Sequence, residues 1–318
     1  VENWPGNMPS EKFSFGHCSI FADSHLAGIL SSSKATFPIP EVATNALILG
    51  NVSDNLGSDK VIRRVTPFRL FDNHFVPSLG LAAFLAGEKD RRVLADSDAL
   101  STRVSTIPLD ENGRVILRFR GKSQTHKTVS AQSVIQSEIR MQEGSKPVVD
   151  PSFFKDSYVF FGFTAPALLD LQATPVGSPY PGLEINATFL DNLLSNDFLV
   201  DFPARYLVLV VLLFGISSAL IGSASQKGWH TIRIFIILLP LPFLPGFTAY
   251  NNGFWLPISA LETAVVFSLV GSLILNYALE GRQKRFIKGS FRQYLSPHVI
   301  ENILRDPDHL KLGGETRE

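Results

Sequence analysis

Cysteine is almost missing: Cys18 is the only one in 318 residues. That scarcity excludes an intrachain disulfide and any metal site built from several thiolates. A lone thiol of this kind is expected to be a small buried apolar residue. Net charge is missing too, since 29 basic and 29 acidic residues balance, so nothing global argues for a nucleic-acid partner. Histidines are few, and His17, His25, His74 and His126 lack ligand spacing, so no metal cluster is read. "RGKS" at 120–123 is not a phosphate loop, because Ile116 stands where that pattern needs glycine. Ser14 and Ser19 sit in no nucleophile elbow. No catalytic residue is assigned, and a hydrolase has no motif to support it. The opening "VENWPGNMPSEKF" has no initiator methionine, basic n-region or apolar h-region, so no secretory signal is read; either an amino-terminal part is expected to be missing or the numbering starts inside a longer product.

Long apolar runs, by contrast, are plentiful beyond residue 203. Hydrophobic residues make up 45% of the chain. The mean hydropathy of +0.15 averages over a sharp boundary. "RYLVLVVLLFGISSALIG" (205–222) is long and apolar enough to cross a bilayer. "IRIFIILLPLPFLPGFTAY" (232–250) carries prolines at 240, 242 and 245 and is expected to be a kinked span. "FWLPISALETAVVFSLVGSLILNYAL" (254–279) is long enough to tilt. Lys227 and Arg233 flank the first turn, the "NNG" of the second turn is uncharged, and Arg282, Lys284, Arg285, Lys288 and Arg292 follow the third span. Both basic segments fall on one side, which is therefore the cytoplasm. Residues 1–202 then lie outside and 281–318 inside, with Trp229 and Trp255 at span ends. Glu262, within the third span, is either a functional carboxylate or a residue close to the outer interface.

The first 202 residues alternate strand-like and helix-like stretches. "NALILGNV" (45–52), "VIRRVTPFRLF" (61–71), "RVILRFR" (114–120) and "SYVFFGFT" (157–164) read as strands, the last as the best core strand. "PSLGLAAFLAGE" (77–88) and "GLEINATFLDNLLSND" (182–197) read as helices, with Leu183, Ala187, Leu190, Leu194 and Phe198 on one face. Interleaved strands and helices predict an α/β domain whose sheet is at least partly parallel, followed by an all-α membrane region of three helices. Arg63 and Arg64 are neighbours on a strand, so one of them faces inward, towards an anionic ligand or a buried carboxylate, unless both are solvated on an edge. Asn51-Val-Ser and Asn186-Ala-Thr match the glycosylation sequon.

Two stretches carry a resemblance. "KDSYVFFGFTAPALLDLQATPVGSPYPGLEINATFLDNLLSNDFL" (155–199) resembles the carboxyl-terminal half of the CHASE sensor domain of type 2, matching it at Gly162, Thr164, Ala165, Asp170, Thr174, Pro175, Pro181, Gly182, Glu184 and Ala187. "GSDKVIRRVTPF" with "VPSLGLAAFLA" resembles its middle, with Lys60 where the family turn has glycine. The resemblance implies an extracytoplasmic sensor, three spans directly after it, and a ligand of unknown identity. Its ligand pocket is expected at strand ends near "GFTAP" and "ATPVGSPYPG", by analogy of fold. Arg63, Arg64, Thr164, Asp170, Thr174 and Glu184 are the candidate ligand-binding residues.

The tail "SFRQYLSPHVIENILRDPDHLKLGGETRE" resembles the lead-in to the catalytic domain of class III adenylate and guanylate cyclases. Ser296 and Pro297 suit a helix start, Val299, Ile300, Ile303 and Leu304 form an apolar face, and Asp306-Pro307 ends it. This implies a multi-pass receptor of the bacterial plasma membrane, working as a homodimer, whose catalytic domain is not in the chain. Two divalent metal ions (Mg or Mn) and ATP or GTP are expected only for that absent domain; the chain itself is expected to hold no cofactor. Phe286, Phe291, Tyr294 and Leu295 are the candidate signal linker, alongside a reading in which the basic residues hug anionic lipid. The alternatives are a stand-alone membrane sensor that pairs with another chain and the sensor of a kinase.

Overall fold

The computed structural model describes residues 18–53, 59–164, 170–224 and 228–291. They form two compact units, one ending at Asp201 and the other beginning at Phe202.

The first unit opens with β1 (Ser19–Ala22), α1 (Ser24–Ile29), β2 (Ser31–Ser32) and α2 (Pro40–Ala43). β3 (Arg64–Val65), β4 (Phe68–Phe71), β5 (His74–Pro77) and α3 (Leu79–Gly87) come next. Then come β6 (Arg92–Ala95), β7 (Ala99–Ser101), β8 (Thr106–Pro108), β9 (Val115–Ile116) and α4 (Ala131–Gln142). The unit closes with β10 (Leu171–Thr174), β11 (Gly177–Pro181), α5 (Gly182–Ser195) and β12 (Val200–Asp201). Its main sheet has the order β1-β6-β7-β8, and a second has β2-β4-β5. β1 runs parallel to β6 and β2 parallel to β4, so the predicted mixed α/β sheet with parallel pairing is present.

Local chemistry explains the clearest elements. Asp72 and Asn73 both take positive φ (48° and 59°), the two-residue turn that matches strand twist, and so close the β4–β5 hairpin. Ser78 caps α3 through the Leu81 amide, as Asp23 caps α1 and Ser130 caps α4. α3 packs on α5 at Gly80, where an added Cβ would lie 2.8 Å from the Asn186 carbonyl oxygen. The core gathers Phe68, Leu81, Leu85, Val93, Leu100, Ile107, Ile185, Phe189 and Leu193.

Four predictions need correction. "NALILGNV" forms isolated bridges, such as Asn51 to Ser78, rather than a strand. On α5 the buried residues are Glu184, Ile185, Asn186, Thr188, Phe189, Leu190, Asn192 and Leu193, so of the predicted row Leu190 and Phe198 reach the core while Leu194 is 54% exposed. "RVILRFR" and "VIRRVTPFRLF" are strands only in part, at β9 and at β3 and β4. "SYVFFGFT" is extended but forms no ladder among the described residues. Phe160 packs against the core, while Phe161 is 80% exposed and Tyr158, Val159 and Phe163 are also exposed. Apolar composition suits a segment for burial but does not supply the neighbouring strands.

The second unit comprises α6 (Ala204–Ser223), α7 (Gly228–Leu238), α8 (Phe243–Asn251), the short β13 (Phe254–Trp255) and α9 (Ile258–Phe291). It contains three segments long and apolar enough to span a membrane: Ala204–Ser223, Ile232–Asn251 and Ile258–Leu279. The middle one breaks between α7 and α8 at Pro240 and Pro242, as its prolines predict. α6 and α9 approach closely. A Cβ on Gly222 would lie 2.8 Å from the Ser272 Cβ, and Gly215 faces Ser268 and Ala264. Ser272 Oγ lies 3.1 Å from the Ala219 carbonyl of α6 and 2.8 Å from the Ser268 carbonyl of its own helix. Asn276 Nδ2 donates to the Gly222 carbonyl at 3.0 Å. Hydrogen-bonding side chains at such a seam are what a medium without water selects.

Candidate functional site

The side chains singled out in the sequence fall at two places. The first is the N-terminal turn of α5. Glu184 is buried, accepting from the Ser123 hydroxyl at 2.8 Å and the Gln124 amide at 2.9 Å. One helical turn on, Thr188 donates to the Glu184 carbonyl at 2.8 Å and meets His126 Nε2 at 3.2 Å. Glu184 and Thr188 thus pin the 121–126 loop to α5. Asp170 lies against the start of the same helix: its carbonyl accepts from the Gly182 amide, and a Cβ on Gly182 would collide with its carboxylate. Burial pushes the Asp170 carboxyl above the usual carboxylate range. Thr174 is buried, and its hydroxyl donates to the Gly177 carbonyl at 2.9 Å across the β10–β11 turn. Thr164 is exposed, two residues beyond Gly162, which sits against Leu183.

The second place is β3. Arg63 points outward and pairs with Asp59 at 2.7 Å. Arg64 turns the other way. Its guanidinium binds both carboxylate oxygens of Asp201 at 2.7 Å and reaches the nearly buried Asp110 at 3.0 Å. The buried carboxylate that the sequence reading allowed as an inward partner is there in Asp110. Burial alone would lower the pKa of Arg64, but Asp201 and Asp110 together hold it above the ordinary value. Asp110 is itself organised by the turn it closes, accepting from the Asn112 and Arg114 amides. The two places touch through the main chain, where the Ile62 amide donates to the Ala173 carbonyl at 2.8 Å.

A further cluster escaped sequence reasoning. Asn192 of α5 is fully buried and bonds both backbone groups of Arg118: Nδ2 donates to its carbonyl at 3.0 Å, and Oδ1 accepts from its amide at 2.9 Å. Arg118 then reaches Asp197 at 2.6 Å, and Arg120 binds Asp197 and Asp191. Burial works against charge at Asp197, yet the hydrogen bonds and charges of Arg120 and Arg118 lower its pKa overall. The alternation in "RVILRFR" was the available signal, since the arginines stand on one side of Val115, Leu117 and Phe119. Both sequon asparagines have enclosed side chains: Asn186 Nδ2 donates to the Gly182 carbonyl, and Asn51 Nδ2 is buried. No group of metal-ligating side chains occurs among the described residues.

The profile of the CHASE2 domain matches residues 7–221, most of the first unit together with α6. The chain belongs to the CHASE2 family. No curated protein and no solved structure matches it. CHASE2 domains are extracellular sensors, and with three candidate spans this one is part of a multi-pass membrane protein. In this CHASE2 chain Glu262 falls in the second turn of α9, near the end that comes after β13. Of the linker residues, Phe286 is exposed on α9 and Phe291 is its last residue. Tyr294, Leu295 and the "YLSPHVIENIL" tail lie outside the described residues.

Proposed function

We propose that this CHASE2 chain is the sensing and membrane-crossing part of a receptor-type class III adenylate or guanylate cyclase. The observation that carries this reading is α9, one uninterrupted helix of 34 residues. It begins in the third apolar span and continues about a dozen residues past Leu279, so its cytoplasmic stretch rises roughly 18 Å beyond the apolar segment. A helix that only rested on lipid would turn along the surface. One that continues straight can carry a displacement from the membrane to a domain beyond it. The "GGETRE" tail lies downstream of this helix and resembles the approach to a cyclase catalytic domain. In this reading the receptor sits in a bacterial plasma membrane as a homodimer. An outside ligand biases two packings of the spans. The divalent metals and ATP or GTP belong to the catalytic domain.

A chimera tests this. Residues 1–318 are joined to the catalytic domain of a characterised class III cyclase, and cyclic nucleotide formation is assayed in membranes. Inserting two alanines after Leu279 turns the remaining helix by about 200° and should change the basal rate several-fold. Equal rates with and without the insertion, and with residues 1–280 deleted, would remove the cyclase reading.

A further inference from the structure

The last stretch of the sensor unit, residues 197 to 201, is held by charge at both of its ends. Asp197 is bound by Arg118 and Arg120, Leu199 forms an antiparallel bridge with Ile116, and Asp201 is chelated by Arg64. These holds share one origin. Arg64 stands opposite Ile116 in the β3–β9 pair, and Ile116, Arg118 and Arg120 occupy alternate positions of one extended run. The intervening Val115, Leu117 and Phe119 belong to the core. One side of the run is thus anchored in the domain, and the other grips the segment that leads, three residues after Asp201, into α6.

Stability alone does not account for this arrangement. The arginine side chains are 22–29% exposed and Asp201 is 49% exposed. Pairs of that kind contribute little each, and buried Phe198 and Leu199 already anchor the segment. What paired guanidinium and carboxylate groups add is direction, since the fork fixes the angle as well as the distance. They are also reversible, because a screened pair opens without leaving a buried orphan.

We propose that Arg64, Arg118 and Arg120 form an electrostatic clasp on the sensor's outgoing strand, and that Arg64 is the positioning residue that makes α6 follow movements of the sensor. This rests on reading the chain as a transmembrane signalling protein, whatever its output. With the clasp closed, a shift of β3 or β9 carries Asp201 with it. With Arg64 released, β3 and β9 can shift without drawing Asp201 along, and the movement is lost.

The test uses the full chain in lipid nanodiscs and two readouts that need no ligand and no cyclase. Hydrogen exchange is measured in the 198–204 peptide and, as a reference, in the 79–87 helix. A nitroxide at position 204, in a Cys18→Ser background, reports mobility at the start of α6. Arg64→Gln should speed exchange in the 198–204 peptide roughly fivefold and mobilise the label, with the reference helix unchanged. Arg63→Gln, whose charged partner Asp59 lies off the outgoing segment, should do neither. Raising salt to about 1 M should loosen the wild-type segment more than that of Arg64→Gln, which keeps only the pairs at Asp197. Arg64→Lys, which keeps the charge beside Asp110 and Asp201 but not the fork, should retain part of the protection. Unchanged exchange in Arg64→Gln, or equal acceleration in the reference helix, overturns the clasp. If Arg64→Gln does not fold, a wild-type segment indifferent to salt overturns it instead. A failed cyclase chimera leaves these readouts standing, and a failed clasp leaves the chimera standing.

Discussion

Asn192 shows how much a single polar side chain carries in this sensor. Fully buried on α5, it takes the place of a neighbouring strand for Arg118, satisfying a main-chain donor and a main-chain acceptor at once. Asn192→Leu keeps the volume but orphans both groups. It should cost about 2–4 kcal/mol, read as a drop in the denaturation midpoint of the sensor unit with an unchanged slope. The carboxylates add a pH dependence of opposite signs. The Asp197 pKa is lowered in the folded chain, so its contribution is present above the unfolded value, near 4, and is lost as pH falls through the folded one. Asp170 is raised, so it favours folding at low pH and opposes it once ionised above its folded pKa. Asp170→Asn should therefore raise the melting temperature at pH 7 and leave it nearly unchanged at pH 3. A fall at pH 7 would show that the carboxylate is held by something other than burial against α5.

At the scale of elements, what was legible in the sequence was local and what was not was long-range. The α3 and α5 segments, the kinked middle span and the first and third spans arise from periodicity, proline and apolar length, which neighbouring residues determine. The hairpin turn at Asp72–Asn73 had its signal in plain view. By contrast, β6 is short and pairs with β1, some seventy residues earlier, and β7 and β8 join the sheet only by hairpins built on β6. The candidate site divides in the same way. Alternation indicated that Arg64 or Arg63 turns inward, but the partners Asp110 and Asp201 are 46 and 137 residues away. The α6–α9 seam was equally invisible, because a span's hydropathy says nothing about which face meets its neighbour. That seam makes its own prediction. Ser272 has one proton and two acceptors, so Ser272→Ala leaves only carbonyls that tolerate the loss. Asn276→Leu removes an interhelical bond to Gly222 in a medium without water. In nanodiscs, spin labels at the ends of α6 and α9 should show a broadened distance distribution in Asn276→Leu and an unchanged one in Ser272→Ala. Equal broadening in both would make Ser272 a clamp rather than a side chain free to switch acceptors.

For the whole molecule, orientation is the property on which the functional reading turns, and the lone cysteine makes it measurable. Three candidate spans are an odd number, so on the proposed reading, with the sensor outside, the end of α9 is expected in the cytoplasm. The charges agree: Lys227 and Arg233 flank one turn, the "NNG" turn is uncharged, and Arg282 and its basic neighbours come after the third span. With Cys18→Ser as background, Ser145→Cys and Asn252→Cys should react with a membrane-impermeant maleimide applied to cells opened only at the outer envelope. Arg282→Cys should react only after the plasma membrane is permeabilised. All three positions are exposed, so folding does not shield them. A middle segment that dips in and out without crossing, as its proline break permits, would leave Ser145→Cys and Arg282→Cys reacting together from outside. That result would place the basic end of α9 on the sensor's side and deprive a cyclase there of its nucleotide. The expected pattern instead assigns Ser145 and Arg282 to opposite sides of one bilayer, the arrangement a receptor cyclase needs.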